Sequence, residues 1–261
     1  MRTSLVSVSA LALGLMLGAP AMAQQAGQAG SPAPAVQAQA IPTDRLDLDK
    51  IKDKLGSIDV EDREEFKGKI VQALSPEGHP TLMVIGPEDM EGDESIDVSR
   101  DELRGKLAEQ GFRDVRFVDD AKMVRGKLAD DKRVIAFTGD FVTLSSAADA
   151  DRPDLDRFKE RLGDVGLEDR DEFKGKLVLA RVDGQPLFML VGPEDFSGDE
   201  SIELTAEDLG KFQREGFEDA RIVGNLKMVR GKLDDDKAVV SLAGSGLAGE
   251  PVATGAIGTR Q

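Results

Sequence analysis

An α+β fold, built as two homologous domains that each pair two α-β-β-β units with helices packed on antiparallel sheet, is what this sequence predicts. Three observations lead there. Long internal matches relate residues 46–141 to 153–245, each half alternates helix-period with strand-period segments, and each carries hairpins made of two apolar runs about a short polar turn. EDREEFKGK at 61–69 returns as EDRDEFKGK at 168–176, GPEDMEGDESI at 86–96 as GPEDFSGDESI at 192–202, and KMVRGKLADDK at 122–132 as KMVRGKLDDDK at 227–237. A fainter repeat divides each half again. Gly166-Leu167-Glu168-Asp169 aligns with Gly216-Phe217-Glu218-Asp219, and Val60-Glu61-Asp62 with Phe112-Arg113-Asp114. The chain therefore reads as four units in an A-B-A-B order, at 46–90, 97–141, 153–196 and 203–245.

Taken in order, the chain opens with Arg2, an apolar run from Leu5 to Leu17, Pro20 and the small-residue tripeptide Ala21-Met22-Ala23. This is the order of a secretory signal, and the run is too short to span a bilayer. Residues 1–23 are read as a signal peptide cleaved after Ala23, which places the mature chain in the periplasm or outside the cell. Residues 24–43 hold Ala, Gln, Gly and Pro with almost no large apolar side chain and are expected to be a disordered linker. Residues 246–261 read as a disordered tail.

Each unit begins with a short amphipathic helix. Its apolar positions are Leu48, Ile51 and Leu55 in the first; Leu103 and Leu107 in the second; Leu155, Phe158 and Leu162 in the third; Leu209 and Phe212 in the fourth. Spacings of three, four and seven put these side chains on one face. Ser99 with Glu102 reads as a capping box and Thr205 with Asp208 as a near relative. Gly56, Gly111, Gly163 and Gly216 stand where helix ends favour a residue tolerant of positive φ.

Strands follow. DVRFV and DARIV are β-branched runs, whereas REEF and RDEF, their counterparts in the first and third units, are poor in apolar residues. Asp183-Gly184 signals a two-residue hairpin turn, and SPEGH at 75–79 a longer one. KMVRGK at 122–127 and 227–232 reads as a strand with one wet face. Gly86-Pro87 and Gly192-Pro193 end strands, since proline cannot donate to a ladder. A unit of about 45 residues is too small to close a core alone, so units are expected to pair into domains at 44–141 and 153–245 with 142–152 as linker.

The pattern of helix, Gly plus a large apolar residue, Asp-Val-Arg and a Gly-Lys hairpin resembles the PepSY-like domains of secreted and periplasmic bacterial proteins. SRDELRGKLAEQGFRDVRFVDDAKMVRGKLADDKRVIAF carries the likeness best. The resemblance implies a small non-catalytic module that binds or restrains secreted proteases or, in some members, binds cations. The BON module, another periplasmic α/β unit, fits the glycine pattern less well.

Composition narrows the function. The chain has 34 basic and 50 acidic residues, a net charge of −16 that disfavours a nucleic-acid partner. Cysteine is absent, which excludes disulfides, thiolate metal ligands and a thiol nucleophile. His79, the only histidine, lies in a hairpin turn and reads as an exposed residue without partners for a triad. No phosphate-cradling glycine loop occurs. The expectation is a non-enzymatic binding or regulatory protein that recognises an unidentified envelope or secreted protein or peptide and needs no cofactor. A second reading is a calcium or lanthanide binder. It would use Glu88, Asp89, Glu91, Asp93 and Glu94 with Glu194, Asp195, Asp199 and Glu200, flanked by Asp97 and Glu203, because hard cations want six to eight oxygens. A third is a structural spacer. EF-hand order fails in both loops, where Glu94 and Glu200 take the place of the turn glycine.

Overall fold

A computed structural model describes residues 46–90, 95–128, 131–146, 153–194, 196, 200–233 and 236–248. In chain order the first unit holds α1 (Leu48–Ser57), β1 (Val60–Glu65), β2 (Lys69–Leu74) and β3 (Pro80–Pro87), and the second α2 (Arg100–Glu109), β4 (Arg113–Phe117), β5 (Lys122–Leu128) and β6 (Lys132–Thr138). The third holds α3 (Leu155–Asp164), β7 (Leu167–Glu172), β8 (Lys176–Val182) and β9 (Gln185–Pro193), and the fourth α4 (Ala206–Arg214), β10 (Glu218–Ile222), β11 (Lys227–Leu233) and β12 (Lys237–Ala243). The α+β class and the helix-then-three-strands plan are as expected.

The sheets run across the repeat boundaries. One six-stranded sheet has the order β1-β5-β6-β9-β8-β10 and the other β4-β2-β3-β12-β11-β7. Each unit's first strand therefore leaves its own hairpin and pairs with that of its neighbour, and each half supplies three strands to each sheet. Two seams join the halves. β6 pairs antiparallel with β9 from Lys132↔Pro193 to Phe137↔Phe188, and β3 pairs with β12 from Pro87↔Lys237 to Thr81↔Ala243. Exchanging the halves, or the two units within each half, carries one strand order onto the other. The described elements lie within one compact unit spanning 44–261.

Three apolar layers follow from this pairing. Ile70, Val84, Ile135, Phe137, Leu177, Leu190, Val240 and Leu242 fill the space between the sheets. Ile51 and Leu55 of α1 and Phe212 of α4 cover the outer face of the first sheet, and Leu103 and Leu107 of α2 with Phe158 and Leu162 of α3 cover that of the second. Side chains alternate along a strand, so Met123 faces the inter-sheet layer and its neighbour Val124 the helix layer. KMVRGK is thus not a strand with one wet face. Met123, Val124 and Gly126 are buried, and the central Arg125 and Lys127 are half-buried rather than exposed.

The poorly apolar first strands are sheet edges. β1 and β7 bury only Val60 and Leu167, and their charged exteriors leave no flat apolar edge for unwanted pairing. All four edges also break register at the Asp shared by the repeats: Asp62, Asp114, Asp169 and Asp219 adopt φ of 48°, 54°, 47° and 52°. Aspartate tolerates this left-handed conformation better than most side chains, and a bulge there twists the edge away.

Helix ends show where local reading succeeded and failed. Thr205 and Asp208 form the complete capping box, whereas at Ser99 only the hydroxyl accepts, from the Glu102 N–H at 3.4 Å. Glu102 turns instead to Lys106, 2.8 Å away, and that ammonium holds its carboxyl below the ordinary range. Asp47 and Asp154 cap α1 and α3. Gly111 and Gly216 take φ of +81°, as expected. Gly56 and Gly163 do not; they lie in the last helical turn, where a Cβ would meet the guanidinium groups of Arg63 and Arg170.

Other expectations need correction. His79 is buried, 7% exposed, because the turn folds back on itself: Ser75 N–H donates to the His79 carbonyl at 2.8 Å and the Thr81 hydroxyl to the same oxygen at 3.1 Å. The start of the expected linker is fixed, since Gln72 both donates to the Val142 carbonyl and accepts from its N–H, and Leu144 is buried. Residues 147–152, the signal peptide, the 24–43 linker and the tail beyond 248 lie outside the described residues. Leu247, in a 3₁₀ turn at Ser245–Leu247, packs on the inter-sheet layer. No described helix is long and apolar enough to cross a membrane.

The repeated Gly-Lys pieces owe their glycines to close approach. A Cβ on Gly175 would lie 2.5 Å from the Val191 carbonyl oxygen and 2.2 Å from the Phe173 ring, and one on Gly68 2.4 Å from the Ile85 oxygen. Gly175→Ala is expected to lose about 1–3 kcal/mol of stability through overpacking. Gly105→Ala in α2, where a Cβ meets nothing within 4 Å, should gain about 0.5–1 kcal/mol. Urea denaturation of the two variants checks both signs.

Candidate functional site

Some of the duplicated charge forms ion pairs related by the repeat. Glu88, just past β3, meets Lys232 of β11 at 2.7 Å, and Glu194, just past β9, lies 3.9 Å from Lys127 of β5. Glu88 raises the Lys232 pKa, first through their hydrogen bond and then through its charge. Glu77 in the first hairpin turn pairs with Arg157 of α3 at 2.9 Å, and Asp183 in the third pairs with Lys50 of α1. The Lys50 hydrogen bond holds Asp183 below its usual carboxylate value. Asp183 and Gly184 both take positive φ, 51° and 75°, as a two-residue hairpin turn requires.

The expected metal ligands do not come together among the described residues. Glu91, Asp93, Glu94, Asp195 and Asp199 lie outside them. Glu88 and Glu194 face lysines, Asp89 and Glu200 are exposed, and no group of three or more ligating side chains converges among the described residues.

A cleft of about 230 Å³ opens at one mouth of the inter-sheet layer. Arg125 of β5, Arg133 of β6, Asp62 and Glu64 of β1, Met90 and Phe196 line it. Met90 and Phe196, the residues that follow GPED in each half, are buried and form its floor. The alternation of β5 and β6 builds the rim: Met123 and Ile135 face the inter-sheet layer, and Arg125 and Arg133, each two residues away on its strand, share that face. Arg125 Nη2 donates to Glu64, its cross-strand partner in β1. Arg133 Nε donates to the Glu194 carbonyl at 2.9 Å.

The repeat supplies an internal control for each of these residues. Asp62, Glu64, Arg125 and Gly126 correspond to Asp169, Asp171, Arg230 and Gly231, which keep the charge at each place, and Asp171 again stands opposite Arg230. Arg133 corresponds to Ala238, which is 2% exposed in the inter-sheet layer. The fold accepts alanine at this place. This departure was present in the sequence, but only the structure puts it beside Arg125 in a cleft.

Comparison with family models, curated proteins and solved structures returns no match for this chain.

Arg133→Ala is expected to keep stability within about 1 kcal/mol of the parent, since the matching position in the second half, Ala238, is alanine. Arg125→Ala should cost more, because it strips Glu64 of its partner and unpacks a half-buried stem beneath β1. Denaturant midpoints of the two variants test that order.

Proposed function

We propose that this chain is a secreted or periplasmic, non-catalytic binding or regulatory protein that acts by recognising another protein or peptide. The observation that carries this reading is the cleft with Arg133, an arginine where the otherwise matched half of the scaffold uses alanine. A charge placed where folding does not require it points to a use outside folding. The net charge of −16 favours a partner of opposite sign, through faster encounter and through suppression of acidic competitors. The signal-like N-terminus and the PepSY-like unit pattern support the same setting. Pairing onto sheet edges is disfavoured as the mode, because all four edges are bulged and charged.

The test is capture in the compartment itself. The exported chain, tagged at its C-terminus, should begin at Gln24 by mass spectrometry and cross-link reproducibly to a discrete polypeptide. Excess untagged mature chain should compete that product away. Repeated recovery of the chain alone, or products that do not compete, would contradict the reading.

A further inference from the structure

On the premise that the chain is a binding protein, the other end of the inter-sheet layer supplies a contact of different chemistry. β6 begins at the arginine-lined cleft, and beyond its far end Phe141 lines an apolar groove of about 60 Å³ with Val142, Leu179, Phe188, Val223 and Leu247. Its wall is aromatic. The Phe141 and Phe188 rings lie 4.8 Å apart between centroids, and Phe188 stacks on Phe137 at 5.5 Å. Gln72 fixes the lip, since its amide donates to the Val142 carbonyl at 3.2 Å and accepts from the Val142 N–H at 3.0 Å. Val142 is 36% exposed there, and Phe141, Leu179, Phe188 and Leu247 are half-buried against the inter-sheet layer. The repeat shows that the fold accepts other side chains at these places. Phe137, Phe141 and Phe188 correspond to Leu242, Gly246 and Leu82, and Leu179 corresponds to Gln72. Three rings thus meet where the matching positions hold two leucines and a glycine. Both members of the pairs Gln72 and Leu179, Phe141 and Gly246, and Val142 and Leu247 line the groove, so exchanging the halves carries it onto itself.

Size and charge select the occupant. Benzene fills an engineered apolar cavity of about 150 Å³, so this groove is too small for an aromatic ring or an acyl chain and admits the end of one aliphatic side chain. Burying so few carbons does not offset the cost of association, so the group must belong to a longer chain held by further contacts. The net charge of −16 favours a chain of net positive charge, both in encounter and against acidic competitors. We propose that the groove between Phe141, Leu179 and Phe188 receives one aliphatic side chain, of leucine size, from a net-cationic peptide segment of the partner. Leu179 and the exposed lip at Val142 set the preference for an aliphatic group.

Methyl NMR titration of the mature chain with two end-blocked peptides tests this, each with two lysines on either side of a central leucine or alanine. The leucine peptide should bind saturably and shift the methyl signals of Val142, Val223 and Leu247, and the alanine peptide should bind about tenfold or more weakly. Leu179→Gln, for which Gln72 is the precedent in the repeat, should lose the leucine preference while its denaturation midpoint shows it folded. Val142→Asn, a change at the exposed lip, should weaken the leucine peptide and leave the alanine peptide as it was. Equal affinity for the two peptides, groove methyl signals that do not move, or a leucine preference unchanged in both variants would overturn the inference. So would binding seen only in a chain ending at Ala248, which assigns the groove to residues 249–261. A dimer in light scattering that Val142→Asn dissolves would likewise overturn it, in favour of a second copy. A cross-linked polypeptide still captured by Leu179→Gln would leave the broader binding role standing while removing this groove from it.

Discussion

Backbone pairing across the middle of the chain, β6 with β9 and β3 with β12, is the constraint on which the rest of this structure depends. A three-stranded half-sheet ending at β6 or β3 would expose a row of unpaired amides beside Val134, Ile135, Val84 and Ile85, all buried here. Pairing with the other half removes both edges and brings the two inner faces together over one apolar layer. The remaining edges are then the four first strands, and these are the segments whose charge and bulges suit them to face water. Exchange of first strands between neighbouring units ties the seam to the helices, because each helix runs into the edge strand that borders the sheet it covers.

Duplication made much of this legible. The repeat boundaries, the four helices with their apolar faces and the hairpin turn at Asp183-Gly184 all follow from periodicity and turn chemistry, which act within a few residues. Strand order does not. Nothing in EDREEFKGK distinguishes pairing with its own hairpin from pairing with KMVRGK 60 residues on, since either satisfies its backbone. The aspartates at 62, 114, 169 and 219 were visible as the anchor of the fainter repeat, yet a bulge is a property of two strands and cannot be read from one. His79 misled for a related reason: a polar turn composition says where the chain reverses, and whether the reversal closes over its own side chain depends on what packs against it.

The same logic separates scaffold from site. Where a residue recurs at equivalent places with equivalent contacts, as Glu88 with Lys232 and Glu194 with Lys127 do, folding accounts for it. Glu88 and Glu194, the first acids of loops that look like ligand sets in a linear reading, form ion pairs with lysines of neighbouring strands. Arg133 is the exception within the cleft. It donates to a backbone carbonyl, whereas its counterpart Ala238 belongs to the apolar layer. A duplicated chain thus carries its own reference state, and departure from near-symmetry in a concave place is more informative than the abundance of any residue type.

The most direct measurement is cleavage of the connection between the halves. With a protease site placed between Ser146 and Pro153, the cut mature chain is passed over a sizing column with light scattering in native buffer. Shared sheets require the two fragments to elute together, one to one, at the mass of the uncut protein, and to separate only in denaturant. Elution as two independent, folded fragments would contradict the account.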